Sequence, residues 1–137
     1  MQDRFKFRVW NKEYNKLYTW EEITDKKGSC SLYWCMLQAQ NNEKNNILMQ
    51  CTGLKDKNGK LIYEGDIIKA YFLNDDTDTW DFVLLKVEYL EKSCAFVFKS
   101  CSRTNDFEDF ISTEYQPESY EVVGNIYENP ELMEVGK

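Results

Sequence analysis

Thr52–Ala70 reads TGLKDKNGKLIYEGDIIKA, and its reading decides the fold. Asn58-Gly59 is the strongest short-range hairpin signal in the chain. A two-residue type I′ turn needs positive φ at both central positions, which Asn tolerates and Gly adopts without steric cost. Five residues later, Glu64-Gly65-Asp66 predicts a second turn, in which Gly65 supplies an unusual φ and Asp66 bonds backbone amides. This turn releases the chain into the apolar run Ile67–Phe72. Ile68, Ala70 and Phe72 form the clean face of that strand, opposite Ile67, Lys69 and Tyr71.

Working outward, Phe5–Trp10 alternates, with Phe5, Phe7 and Val9 on one face and Lys6, Arg8 and Trp10 on the other. Period two argues a half-buried strand, and Lys16–Trp20 reads as its hairpin partner. Glu21–Gly28 reads as a loop or frayed turn. Ser29–Gln40 fits a helical face through Tyr33, Trp34, Met36 and Leu37, yet its β-formers favour a strand slightly. Asn41–Asn46 is turn-rich. Ile47–Cys51, Phe82–Tyr89, Ala95–Lys99 and Tyr120–Tyr127 complete the strands, the last with a bulge or bend expected at Gly124. Asn74–Asp81 reads as an acidic loop. Phe107, Phe110 and Ile111 predict a helical turn or lid, and Asn129-Pro130-Glu131 a helix start. About seven short strands in one uninterrupted span argue a mainly β, single compact barrel or sandwich with short helical turns, covering residues 1–137. The Gly65-Asp66-Ile67-Ile68 entry into a strand resembles small SH3-like barrels.

Three blocks carry a more specific resemblance: FKFRVW at Phe5–Trp10, TGLKDKNGKLIYEGDIIK at Thr52–Lys69, and VVGNIYENPEL at Val122–Leu132. In order and spacing they resemble the YopX-like phage protein family, encoded by phages and prophages of mainly Gram-positive bacteria. The resemblance implies an intracellular origin and a mostly β fold, and it carries no catalytic residues across.

Composition bounds the chemistry. The 137 residues are 42% hydrophobic and 15% aromatic, which argues a globular chain. No apolar run is long enough for a membrane helix, and the charged start lacks a secretory pattern, so the expected location is the host bacterial cytoplasm. Five cysteines (Cys30, Cys35, Cys51, Cys94, Cys101) without close pairs predict reduced thiols rather than disulfides or zinc. The chain has no histidine, which excludes Ser-His-Asp, Cys-His and His-metal chemistry. A net charge of −7 disfavours general binding to phosphate backbones and favours protein partners; it is also compatible with mimicry of nucleic acid.

No catalytic, cofactor or metal constellation stands out, and the chain reads as non-enzymatic. Glu64 with Asp66, and the cluster Asp75, Asp76, Asp78 and Asp81, are the only suppliers for a carboxylate or metal-dependent enzyme. Counted as a calcium loop from Asp76, however, the sixth and twelfth positions are Asp81 and Val87, where Gly and Glu are required. A nucleic-acid module would need a patch of Lys55, Lys57, Lys60, Lys99 and Arg103, though lysines beside a turn also serve to keep an edge soluble. The 21 aromatic residues exceed what one small core readily hides. Trp10, Tyr18, Trp20, Tyr71 and Trp80 are the outward-facing candidates for a protein contact or a homo-oligomer.

Overall fold

A computed structural model of the chain describes residues 2–25, 31–40, 45–101 and 117–134. The described strands are β1 (Phe7–Asn11), β2 (Lys16–Tyr18), β3 (Asn46–Lys55), β4 (Leu61–Tyr63), β5 (Asp66–Asn74), β6 (Thr79–Leu90), β7 (Ala95–Ser100) and β8 (Tyr120–Asn125). Two short helices, α1 (Trp20–Thr24) and α2 (Leu32–Gln40), lie between β2 and β3. The mainly β reading holds. The strands pair as two four-stranded sheets, ordered β2-β1-β3-β4 and β7-β6-β5-β8.

The Glu64–Asp66 turn carries the chain from one sheet to the other, with Gly65 at φ 84°. Its backbone is used on both sides: Gly65 N–H donates to the Val87 carbonyl, and Ile126 N–H donates to the Gly65 carbonyl, each at 2.9 Å. A Cβ at position 65 would sit 3.1 Å from Met49 Sδ. The segment after Asp66 then becomes a central strand, flanked by β6 and β8.

One core cluster lies between the sheets: Ile62 from the first meets Ile68, Ala70, Leu85, Val87 and Phe98 from the second. In a second cluster, Val9, Phe7, Tyr18 and Leu48 of the first sheet pack against Ile23 and Trp20 of α1 and Leu32 of α2. Because β1 is covered on both sides, Val9 by α1 and Trp10 by Tyr127, it shows no polar side. Arg8, Val9, Trp10 and Asn11 are all buried.

Several local expectations are corrected. The hairpin at Asn58-Gly59 forms, but Asn58 does not take positive φ; Gly59 alone does, at 78°. The loop is a three-residue type, with Gly59 N–H on the Asp56 carbonyl at 3.0 Å and Asp56 N–H on the Lys60 carbonyl at 2.8 Å. Asp56 selects it, because its Oδ1 accepts the amides of Asn58 and Lys60, both at 2.9 Å. The strand expected through Trp20 stops at Tyr18, since Thr19 caps α1 by accepting the Glu22 amide. Ser29–Gln40 contains a helix where a strand was favoured, started by the Ser31 hydroxyl accepting the Trp34 amide at 3.2 Å. Phe5 lies in a 3₁₀ turn, Gln2–Phe5, rather than on the inner face of β1. In β8, Ile67 pairs with Gly124 and Ile68 with Val122, so Val123 is the extra residue of a bulge. The segment holding Phe107, Phe110 and Ile111 lies outside the described residues.

Asp56 also joins the two sheets. Its Oδ2 accepts the Val122 amide at 2.9 Å, and the neighbouring Lys57 N–H donates to the Tyr120 carbonyl at 2.9 Å. Asp56→Ala removes the acceptor for three amides at once. We expect it to lower stability by about 3 kcal/mol in urea denaturation, since each such bond is worth roughly 1 kcal/mol net. An unchanged midpoint would show that the hairpin tip docks without it.

Candidate interaction surface

Of the five aromatic candidates, Trp10 is a correction: it is 7% exposed and stacks on Tyr127 with ring centroids 5.7 Å apart. Tyr18 and Trp20 are half-buried in the helix-covered cluster. Tyr71 is half-buried, and its hydroxyl donates to Glu121 Oε2 at 2.9 Å. Trp80 is 72% exposed. Tyr71 and Trp80 share one face of the paired β5 and β6 strands.

β8 pairs with β5 only as far as Ala70, and β7 pairs with β6 only as far as Leu85. Beyond these points β5 and β6 continue as a two-stranded ribbon, pairing Tyr71 with Phe82, Phe72 with Asp81, Leu73 with Trp80 and Asn74 with Thr79. Residues directly opposite in an antiparallel pair share a face. One face of the ribbon therefore carries Tyr71, Leu73, Trp80 and Phe82. Leu73 is 46% and Phe82 45% exposed. The Lys69 ammonium lies 3.9 Å over the Phe82 ring. At the tip, Asp78 turns the chain with φ 52°, so the expected acidic loop is shorter than Asn74–Asp81 and its ends are strand.

Leu73 and Phe82 belong to this surface, and the sequence reading missed them. The expected strands end at Phe72 and begin again at Phe82, which leaves Leu73 outside a strand and parts Phe82 from Trp80. Alternation continued through Asn74 and resumed at Thr79 would have found both. A second exposed aromatic group, Tyr33 and Trp34 of α2, was hidden by the strand reading of that segment.

The carboxylates at the crossover turn are committed internally. Arg8 Nη2 donates to Asp66 Oδ1 at 2.6 Å, and Asp66 Oδ2 accepts the Tyr63 amide at 2.8 Å. The Arg8 guanidinium also lies 4.8 Å from the Tyr63 ring centroid, and its Nε has no hydrogen-bond partner among the described residues. Burial raises the Asp66 carboxyl above its ordinary value, with Arg8 and the Tyr63 amide opposing without cancelling it. Burial also pushes the Tyr63 hydroxyl up to about 12. Among the described residues, no three His, Cys, Asp or Glu side chains converge as a metal site. Of the lysines proposed for a basic patch, Lys57 pairs with Glu121 and Lys99 with Glu88, each at 3.2 Å. Arg103 lies outside the described residues.

Glu64 borders a cavity of about 250 Å³ with Glu88 and Tyr127. Burial raises its carboxyl, the Gln50 amide and Arg8 oppose, and Glu88 adds to the rise. The folded state thus holds this proton more tightly than the unfolded chain does. The contribution of Glu64 to stability falls as pH rises from the ordinary 4.5 through the raised value. Glu64→Gln lacks that slope, so its stability relative to the parent is expected to be higher at about pH 7 than at about pH 4. Urea midpoints at the two pH values check this, and a constant difference contradicts it.

These elements define a small mainly β protein of two four-stranded sheets, whose most distinctive surface is an aromatic ribbon beyond the sheet edge. No described helix is long and apolar enough to cross a membrane. Residues 6–134 match the YopX protein family, and the chain belongs to that family. The crystal structure of protein EF1440 from Enterococcus faecalis is similar over 93% of this chain and 96% of that one, at 26% identity and a TM-score of 0.57. No curated protein matches the chain.

Proposed function

We propose that this is a small non-enzymatic accessory protein of phage or prophage origin, working in the cytoplasm of a bacterial host by contact with protein. The ribbon is its binding surface, and the contact is with a partner protein or another copy. The observation that carries this reading is the side-by-side exposure of Trp80, Phe82 and Leu73 on one ribbon face. Aromatic side chains so placed supply large contact area at low entropic cost and are enriched at interface centres.

A photo-crosslinking residue introduced at Trp80 tests it, with the same residue at exposed Tyr14 as control. In host lysate and with purified protein, discrete adducts are expected from position 80 and not from position 14. Equal labelling from both positions would refute the ribbon as the contact surface.

A further inference from the structure

Resting on that contact reading, we infer that the ribbon is shaped for a basic protein surface carrying apolar side chains, rather than for a second copy of this chain. The argument is the charge around the apolar face. Asp75, Asp76 and Asp78 lie at the ribbon tip, all exposed, and none is paired with a cation among the described residues; Asp81, opposite Phe72, belongs to the other face. At the ribbon root, Lys57 is neutralised by Glu121, which leaves Lys69, lying over Phe82, as the cation of the ribbon face that has no ion pair among the described residues.

A second copy docked side by side and parallel would bring like charges together, three aspartates against three. Docked antiparallel, it would offer one lysine to each set of three. A surface bearing Arg or Lys beside apolar residues answers both features, because its cations meet the aspartates and its aliphatic groups meet Trp80, Phe82 and Leu73. Arginine suits this face twice, since its guanidinium pairs with carboxylates and stacks on aromatic rings. Acidic steering would also make the encounter fast and sensitive to salt.

The test uses the full chain and two labelled peptides, one alternating arginine with leucine and the other glutamate with leucine. Anisotropy titrations at low salt should favour the arginine peptide by about tenfold or more, with the preference shrinking as salt rises. Neutralising the tip (D75N, D76N and D78N together) should abolish the preference, while a control pair away from the ribbon, E21Q with E22Q, should leave it intact. The face variant W80S with F82S should weaken the arginine peptide with the tip charges still present. Circular dichroism on each variant separates these effects from unfolding. Equal affinity for the two peptides, or a preference that survives tip neutralisation, overturns the inference. So does sedimentation showing a dimer that W80S with F82S dissociates, an outcome that sinks the basic partner but keeps the ribbon as a contact surface. If W80S with F82S leaves every contact unchanged, the contact reading itself fails.

Discussion

Arg8→Met is expected to cost about 3–5 kcal/mol of stability at neutral pH, the range for stripping one partner from a buried ion pair. Asp66 is 1% exposed and its Oδ1 faces the guanidinium at 2.6 Å, so the substitution leaves an enclosed carboxylate without its counter-charge. The loss should shrink in acid. Burial already raises the Asp66 carboxyl, and without Arg8 it rises further, so the folded variant takes up a proton at a higher pH than the unfolded chain does. Between those two values the variant's stability falls as pH rises. Adding Asp66→Asn should recover much of the loss at neutral pH, because the amide oxygen still accepts from Tyr63 and no charge remains. Urea denaturation of the two single variants and the double variant, at two pH values, measures all of this. If the double variant is as unstable as the sum of the singles, the two side chains are not coupled as described.

Ile68→Ala is expected to cost about 3–4 kcal/mol. Ile68 is fully buried between the sheets, against Ile62, Ala70, Leu85, Val87 and Phe98, and truncation there both removes transfer energy and leaves a cavity. Phe72, four residues along the same face, is 43% exposed, so Phe72→Ala should cost far less despite the larger side chain. The order of the two denaturation midpoints is the measurement. A reversal would mean that the core is centred on the ribbon and not on the four-stranded body.

The sheet pattern was legible because period two survives wherever one face of a strand meets solvent. It failed where both faces are covered. Trp10 alternates correctly with Val9, yet it is buried against Tyr127 while Val9 is buried against α1. α2 was hard to read because its apolar residues do not keep to one face, and Tyr33, Trp34 and Met36 point outward. The capping pair Thr19 and Glu22 was a local signal for α1 that alternation through Trp20 masked. Asp56 could not be read at all, since its decisive partner, Val122, lies 66 residues away. Within the candidate site, Trp80 and Tyr71 were legible as surplus aromatics. Their neighbours Leu73 and Phe82 depend on a strand register that composition hides, because the aspartates between them look like loop.

β5 belongs to two neighbourhoods at once. From Asp66 to Ala70 it is hemmed by strands on either side, whereas from Tyr71 to Asn74 it has β6 alone among the described strands. Amide protons along this single strand should therefore keep two clocks. Those at the buried end exchange with deuterium only when the whole molecule opens, and those at the far end exchange through local fraying. A partner that seats on the aromatic face would slow the second clock and leave the first untouched, which makes the strand a built-in reporter of its own engagement.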